Sequence, residues 1–204
     1  QHCEGKAFDY QPHFCCCTAL HLYTGKRSED IFGVRWKPAL SEEEKEICSG
    51  WLLDGWETAD EPKFHLWNMK NRKGKNIHLD EDSVKQLKRL REANLRDRNA
   101  WALKSPFIFP QKMNPQKHAT YGSYQKPLKK LNELLNINRL EGDNISKVKG
   151  KRRFFTFKIA RKTAGTYFAN EYGIEIASRK LDHSSTKQTK DCYIVPDEKE
   201  LEIN

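Results

Sequence analysis

The apolar run from Phe14 to Tyr23 (FCCCTALHLY) most restricts what this chain can fold into. Its side chains are apolar enough that we expect a helix buried in a hydrophobic core. Thr24 and Gly25 follow it, and glycine commonly ends helices because it tolerates left-handed backbone angles. A chain of 204 residues is long enough to cover such a helix, as one large domain or two small ones.

Further helices are predicted from capping residues and from apolar side chains at helical spacing. Ser41, followed by Glu44 three residues later, is a capping-box pattern that predicts a short acidic helix. The segment Asp80 to Ser83 caps a second helix, in which apolar residues recur every three positions. The predicted helices after the first are 28–36, 41–47, 84–96, 126–137, 158–172, which ends at Gly173, and 174–181.

Between Trp51 and Leu79 the pattern changes to short strands. The segments LLDGW, KFHLWNMK and KNIHL are the predicted strands, with residues 71–74 as a hairpin turn. SPFIFP (105–110) reads as a short extended piece, 111–125 as a basic loop, and 138–153 as a flexible connection that could lie on a DNA backbone. The expected fold class is therefore mainly α with a small antiparallel β-sheet (α+β).

Lysine and arginine exceed aspartate and glutamate by nine. Such a surplus favours polyanionic partners, because binding to phosphates releases counterions. A solubilising excess of charge is an equally good interpretation of composition alone, and the basic helix from Lys85 to Arg98 leaves the same two alternatives open. No apolar run approaches the roughly 20 residues that span a bilayer.

The six cysteines do not form a metal-binding framework. Cys15, Cys16 and Cys17 are consecutive, so on a helix they point in different directions, and the remaining three have no CxxC partner. We expect reduced thiols, some of them filling the core, and no metal ion or other cofactor.

Arg27 is the first candidate for phosphate binding. In LYTGKRSEDIFGVRW a glycine turn presents it between two predicted helices, and Asp30 one turn later could orient its guanidinium. Metal-free cleavage of a phosphodiester needs fixed cations on the non-bridging oxygens, an in-line nucleophile and an acid for the leaving oxygen. Taken by itself, Arg27 would be an ordinary surface arginine after a helix.

Four segments in order, however, resemble the motifs of the tyrosine recombinase (phage integrase) family. Its first motif reads T-G-x-R-x-x-E/D followed by hydrophobic-x-W, and the matching residues here are Thr24, Gly25, Arg27, Asp30, Val34 and Trp36. A β-hairpin follows in this family, with a catalytic lysine just before its turn. Lys70 holds that position; Lys73 and Lys75 are close enough to compete, or to be plain phosphate contacts.

Two more motifs resemble the family in the second half of the chain. The family's H-x-x-R-H-T-x-A-T appears as K-I-A-R-K-T-A-G-T, from Lys158 through Arg161 to Thr166. Its L-G-H-S-S appears as L-D-H-S-S, with Asp182 before His183. A stretch rich in threonine and lysine then leads to Tyr193. One such motif is a weak signal, whereas four in the right order, reaching from Phe14 to Val195, are specific.

The resemblance implies a site-specific DNA recombinase or integrase that acts without a metal or cofactor. The implied catalytic residues are Arg27, Lys70, Lys158, Arg161, His183 and Tyr193. Tyr193 would attack the scissile phosphate and form a 3′-phosphotyrosine. Arg27 and Arg161 would hold the non-bridging oxygens, and Lys70 would protonate the 5′-oxygen.

The remaining two residues have supporting roles in this resemblance. His183 would hydrogen-bond the phosphate, and Lys158 stands where the family usually has a histidine that assists the nucleophile. The resemblance also implies one catalytic domain over residues 1–204, without the family's N-terminal core-binding domain. Double-stranded DNA is the implied partner, bound by a monomer that assembles into a homo-tetramer on recombination sites. The expected location is the cytoplasm, at the nucleoid, in a bacterial or phage-encoded system with no membrane association.

Three departures from the family motifs leave a second hypothesis open. Lys158 replaces histidine, Asp182 replaces a glycine, and the interval from His183 to Tyr193 is one residue longer than usual. One extra residue would rotate Tyr193 by about 100° if both lay on a continuous helix. The alternative is a DNA-binding domain of the same fold that cleaves slowly or not at all. A third class, an RNA-binding module, lacks any RNP, KH or zinc-knuckle signature here.

Overall fold

A computed structural model of the chain describes residues 11–68, 73–134 and 155–193. Its α-helices are α1 (Pro12–Thr24), α2 (Ser28–Phe32), α3 (Glu42–Glu46), α4 (Glu81–Asn94), α5 (Gln125–Leu134), α6 (Phe157–Tyr172), α7 (Ile174–Lys180) and α8 (Thr186–Tyr193). Its strands are β1 (Val34–Arg35), β2 (Gly50–Leu52), β3 (Lys63–Asn68), β4 (Lys73–His78), β5 (Pro110–Gln111) and β6 (Asn114–His118). The predicted fold class, mainly α with a small sheet near the front, is confirmed, and a second, two-stranded sheet was not expected.

Helix α1 is the centre of the hydrophobic core, as its apolar run predicts. It packs against α4 and α6, and Cys16, Cys17 and Leu20 have no exposed surface. The helix ends where expected, because Gly25 adopts a left-handed conformation with φ 64° and its N–H donates to the carbonyl of His21. The cysteine run is therefore core filler, and the turn after α1 is fixed to the core.

The main sheet has the order β1-β2-β3-β4. Strands β2, β3 and β4 are antiparallel, but β1 runs parallel to β2, so the sheet is mixed rather than purely antiparallel. The predicted strand over LLDGW is wrong in its bounds, since β2 ends at Leu52 and a turn covers residues 54–58. Lys73 and Gly74 belong to β4 rather than to the hairpin turn, while residues 69–72 lie outside the described part of the chain.

Capping side chains set the helix starts that the sequence predicts. Asp80 accepts the N–H of Ser83 at the start of α4, and Ser41 accepts the N–H of Glu44 at the start of α3. Thr156, which was not singled out from the sequence, caps α6 through the N–H of Ile159. Helix α6 ends at Gly173, as predicted, and α7 follows it directly.

The region expected to be a basic loop is partly ordered as a small sheet. Strands β5 and β6 form a two-stranded antiparallel sheet, and Asp97–Lys104 and Tyr121–Tyr124 are 3₁₀ helices. The predicted connection over residues 138–153 lies outside the described residues. In the part of the chain that is described, no helix is long and apolar enough to cross a membrane.

Candidate active site

Arg161 lies at the centre of the candidate site. It projects from α6, is only 8% exposed, and donates through Nη1 to the carbonyl of Gly25 at 2.9 Å and through Nη2 to the carbonyl of Leu181 at 2.6 Å. Its Nη2 also lies 3.3 Å from Nε2 of His183. One guanidinium therefore joins the turn after α1 to the segment after α7. A planar fork of donors suits this geometry, and an ammonium could not bridge the same three groups.

The turn after α1 carries Arg27 out of the core and into solvent. Gly25 fits closely beneath the site, since a Cβ at this position would lie 2.9 Å from the Leu181 side chain. Arg27 itself is exposed and is the N-cap of α2, where its backbone N–H donates to Asp30 at 3.2 Å. The Asp30 carboxylate thus holds the main chain of Arg27, whereas the sequence predicted a contact with the guanidinium.

His183 is fixed by the way that α7 ends. The N–H of His183 bonds to the carbonyl of Ser178 and the N–H of Asp182 to that of Arg179, the pattern of a Schellman motif. Asp182 therefore occupies the left-handed position that glycine usually fills, with φ 56°. This left-handed conformation explains why the family motif has a glycine here, and asparagine and aspartate are the other residues that tolerate it.

The imidazole of His183 is bonded on both nitrogens. Nδ1 lies 2.7 Å from Oγ1 of Thr189, a fully buried residue of α8. Because the guanidinium of Arg161 can only donate, Nε2 accepts and the proton of the neutral ring is on Nδ1. Burial, together with the positive charges of Arg161 and Arg27, lowers the pKa of His183 below its ordinary value.

An ion cluster lies behind Arg27 and His183. The buried ammonium of Lys26, 1% exposed, bonds to Oδ2 of Asp182 and, at 2.6 Å, to the carbonyl of Lys180. Lys75 of β4 bonds to the other oxygen of the same carboxylate. Burial raises the pKa of Asp182, but the bonds and charges of Lys26 and Lys75 outweigh it, so that the pKa is lowered overall. Burial lowers the pKa of the more deeply placed Lys26.

Position 193 is the last residue of α8 and the last described residue of the chain. Thr189, which contacts His183, lies one turn earlier on the same helix. His183 itself precedes α8 in an irregular segment, so the extra residue before Tyr193 does not rotate it about one continuous helix.

The structure does not bring every predicted residue to this cluster. Lys158 is an exposed residue in the first turn of α6, and it lines a separate cavity with Ser28 and Glu29. Lys70 lies outside the described residues. Arg161 and His183 are the predicted residues whose described side chains are in contact. The positive charge of Arg27 helps to lower the pKa of His183, and Lys75 of β4 adjoins this group through Asp182.

A cavity of about 730 Å³ opens beside the cluster. Its lining includes Lys26, Lys75, Arg179, Lys180 and His183, without an aspartate or glutamate. An open cavity with this lining suits an anion of high charge density, such as the phosphodiester backbone of DNA. Among the described residues, no group of three or more His, Cys, Asp or Glu side chains could hold a metal ion.

Sequence reasoning missed three side chains of the candidate site. Thr189 carries no motif, and its role appears only when α8 packs beside His183. Lys26 and Asp182 occupy a variable and a departing position of two motifs, and the sequence alone marks Asp182 only as a replacement of the family glycine. The sequence contained a signal at two places, a lysine directly before Arg27 and a carboxylate directly before His183. The two places are far apart in the chain, so nothing in the local sequence connects them.

Comparison with protein-family models and with curated proteins gives no match to the sequence. Solved structures do match. XerA recombinase superposes with a TM-score of 0.60 at 14% identity, covering 97% of this chain and 59% of that one. XerH site-specific recombinase bound to its difH substrate superposes with a TM-score of 0.57 at 15% identity, covering 98% of this chain and 47% of that one. The Tn1549 transposon integrase in complex with transposon right end DNA superposes with a TM-score of 0.54 at 16% identity, covering 94% of this chain and 57% of that one.

The chain therefore has the fold of the catalytic domain of tyrosine recombinases. It spans between 47% and 59% of the length of these three structures. The expectation of this fold, drawn from four short motifs, is confirmed.

Proposed function

We propose that the chain is the catalytic domain of a site-specific DNA recombinase or integrase that cleaves DNA through a 3′-phosphotyrosine at Tyr193. The observation that carries this proposal is the placement of Arg161, whose buried guanidinium bonds to both Gly25 and Leu181 and contacts His183. It joins three motifs that are far apart in the chain. A structural arginine would need no such convergence with a second arginine and a histidine.

In the proposed reaction the phenolic oxygen of Tyr193 attacks phosphorus, and the bond from phosphorus to the 5′-oxygen breaks. The guanidiniums of Arg27 and Arg161 stabilise the charge that develops on the non-bridging oxygens. Arg27 is free to reorient because it is exposed, whereas Arg161 is preorganised. The energy of the broken ester is retained in the new one, so a 5′-hydroxyl from a second strand can reverse the attack.

His183 would change its role when DNA binds. Its Nε2 accepts a bond from Arg161, and a bound phosphate would bring negative charge that raises the pKa of the ring. The protonated ring could then donate to a phosphate oxygen while Thr189 keeps its orientation. Lys70 is the proposed acid for the 5′-oxygen, and Lys158 the proposed assistant of the nucleophile.

A suicide substrate tests the proposal. Nicked DNA carrying the crossover site, taken from DNA that flanks the gene, should trap a covalent adduct with the wild type. Tyr193→Phe should form none, and peptide mapping of the wild-type adduct should place the DNA on residue 193. Tyr172→Phe is the matched control, because it removes an exposed phenol from the end of α6. Absence of a wild-type adduct on the cognate site would refute the cleavage mechanism.

A second candidate is a DNA-binding domain of this fold that does not cleave. The position of Lys158 favours it, because the residue expected to assist the nucleophile lines a different cavity from the one that His183 and Lys75 line. Under this hypothesis DNA binding would survive in Tyr193→Phe, with the same steep dependence on salt as in the wild type, and no adduct would form.

The proposed partner is double-stranded DNA, bound by a monomer that forms a tetramer when two sites are brought together. The proposed location is the bacterial cytoplasm, at the nucleoid, with the protein encoded by the bacterium or by a phage. Residues 1–204 would form one catalytic domain.

A further inference from the structure

We infer that Asp182 is a positioning residue of the site, one that fixes the Arg27 turn and the His183 segment relative to each other. The inference rests on the proposed function for its catalytic consequence. Its geometric basis is the cluster in which one carboxylate binds Lys26 through one oxygen and Lys75 through the other. These side chains come from the turn after α1, the end of α7 and β4, which are otherwise separate parts of the chain.

The cluster lies immediately behind two proposed phosphate ligands. Lys26 precedes Arg27, and Asp182 precedes His183. Consecutive Cα atoms are about 3.8 Å apart, so a bond between the first pair closely limits the separation of the second. The Lys26 ammonium bonds to the same helix end a second time, through the carbonyl of Lys180 at 2.6 Å. Movement of the turn against α7 would break both bonds.

The charges of the cluster explain how a carboxylate is tolerated beside a phosphate site. An unpaired Asp182 would repel DNA. Two ammonium groups neutralise it, so the three side chains together carry one positive charge and still favour an anion. Lys75 also lies 3.4 Å from the carbonyl of Arg179, which holds β4 against the same helix end. The departure from the family glycine is therefore compensated by Lys26 and Lys75.

Backbone conformation separates this role from a simpler one. With φ 56°, position 182 would be occupied with less strain by glycine. If the residue served only to end α7, Asp182→Gly would be neutral or favourable. The inferred role also needs the bonds from the carboxylate to Lys26 and Lys75, which glycine cannot make. Asp182→Gly therefore distinguishes the two roles.

The experiment measures single-turnover adduct formation on the suicide substrate with protein in excess over DNA. Asp182→Gly and Asp182→Asn should each lower the rate constant by about 10- to 100-fold, the size expected for misplaced phosphate ligands, with little change in the dissociation constant for DNA. Glu44→Gln is the matched control. It removes a carboxylate with the same 35% side-chain exposure from an ion pair with another buried cation, Arg35, away from the site.

A rate for Asp182→Gly equal to that of the wild type would overturn the inference. Should either variant at 182 fail to fold, Lys75→Met replaces it, since Lys75 is 55% exposed and its loss leaves no buried charge unpaired. That variant should lower the rate in the same direction, and an unchanged rate would count against the role.

A second measurement does not depend on cleavage. In NMR spectra of the free protein, the imidazole signals of His183 and its titration midpoint should shift in Asp182→Gly and Asp182→Asn and stay constant in Glu44→Gln. Unchanged signals would refute positioning by Asp182. If the wild type forms no adduct but these signals shift, the proposed function fails while the positioning role stands.

Discussion

His21 in the core and Arg161 at the site are buried to a similar degree, with exposures of 0% and 8%, but only the arginine carries a charge. The imidazole of His21 stacks on Phe157 at 4.4 Å and bonds through Nδ1 to the carbonyl of Cys17. Burial lowers its pKa to about 4, so it is neutral at neutral pH. The guanidinium of Arg161, by contrast, donates hydrogen bonds to two carbonyls and to the imidazole of His183.

The difference shows what each region requires. Removing a neutral group from water costs little free energy, whereas a buried cation is tolerated only where polar partners are fixed around it. At the site these partners are main-chain carbonyls at helix ends, together with the carboxylate of Asp182. The partners that allow the charges to be buried also hold them in place for a phosphate.

Replacing Arg161 should produce the largest effect. Arg161→Lys keeps the charge but cannot reach Gly25, Leu181 and His183 together, so we expect adduct formation to fall by about 10²–10³-fold. Single-turnover kinetics on the suicide substrate measure it. Arg35→Lys, at an arginine that has the same 8% exposure and pairs with Glu44 outside the candidate site, is the control and should retain most of the rate. Full activity of Arg161→Lys would show that its fork of donors is not needed.

The ion cluster should respond unequally to the loss of its two charges. Asp182→Asn leaves the buried Lys26 without a counter-charge and should cost about 2–4 kcal/mol, somewhat below a fully buried pair because Asp182 is partly solvated. Lys26→Met should cost about 1 kcal/mol, since the carboxylate keeps Lys75. Urea unfolding at pH 7 gives both values. Equal costs would mean that burial of the Lys26 ammonium is not what the carboxylate compensates.

Acidification should weaken the hydrophobic core. The pKa of both His13 and His21 is lowered by burial to about 4, so between pH 6.5 and 4 the unfolded chain binds protons that the folded one does not. Stability is therefore lost as the pH falls, by about 2 kcal/mol for each histidine at pH 5. The pKa of Asp182 is lowered from its ordinary value, so the negative charge that binds Lys26 and Lys75 is lost only at a lower pH.

Urea unfolding at pH 7 and pH 5 checks this pH dependence. His13→Gln and His21→Gln should each flatten it, because each removes one of the groups that take up a proton on unfolding. Slopes equal to that of the wild type in both variants would contradict the account of a neutral core.

Removing the support of His183 should produce the smallest effect. Thr189→Val keeps the buried shape of the side chain but removes the bond to Nδ1, which should cost about 1 kcal/mol of stability and slow adduct formation modestly. Thr186→Val, at an exposed position of the same helix, is the control. A silent Thr189→Val would mean that Arg161 alone orients the imidazole.

The sequence by itself determined the elements whose signals are local. The apolar run and Gly25 fixed helix α1 and its end, Asp80 and Ser41 fixed the starts of two helices, and four ordered motifs pointed to the fold. The helix α1 signal and the two capping signals depend on residues within a few positions of one another, where spacing and backbone preference act directly. The motifs point to the fold through their resemblance to a family and their order along the chain.

Tertiary structure decided what depends on distant partners. Strand β1 pairs parallel with β2, and residues 110–118 form a small sheet in a segment expected to be a loop. Lys158 lines a different cavity from His183. Lys26 and Asp182 are 156 residues apart, and each is an anomaly until the other is placed beside it. A buried charge is stabilised by whatever surrounds it in space, and that environment is settled only when the helix ends pack together.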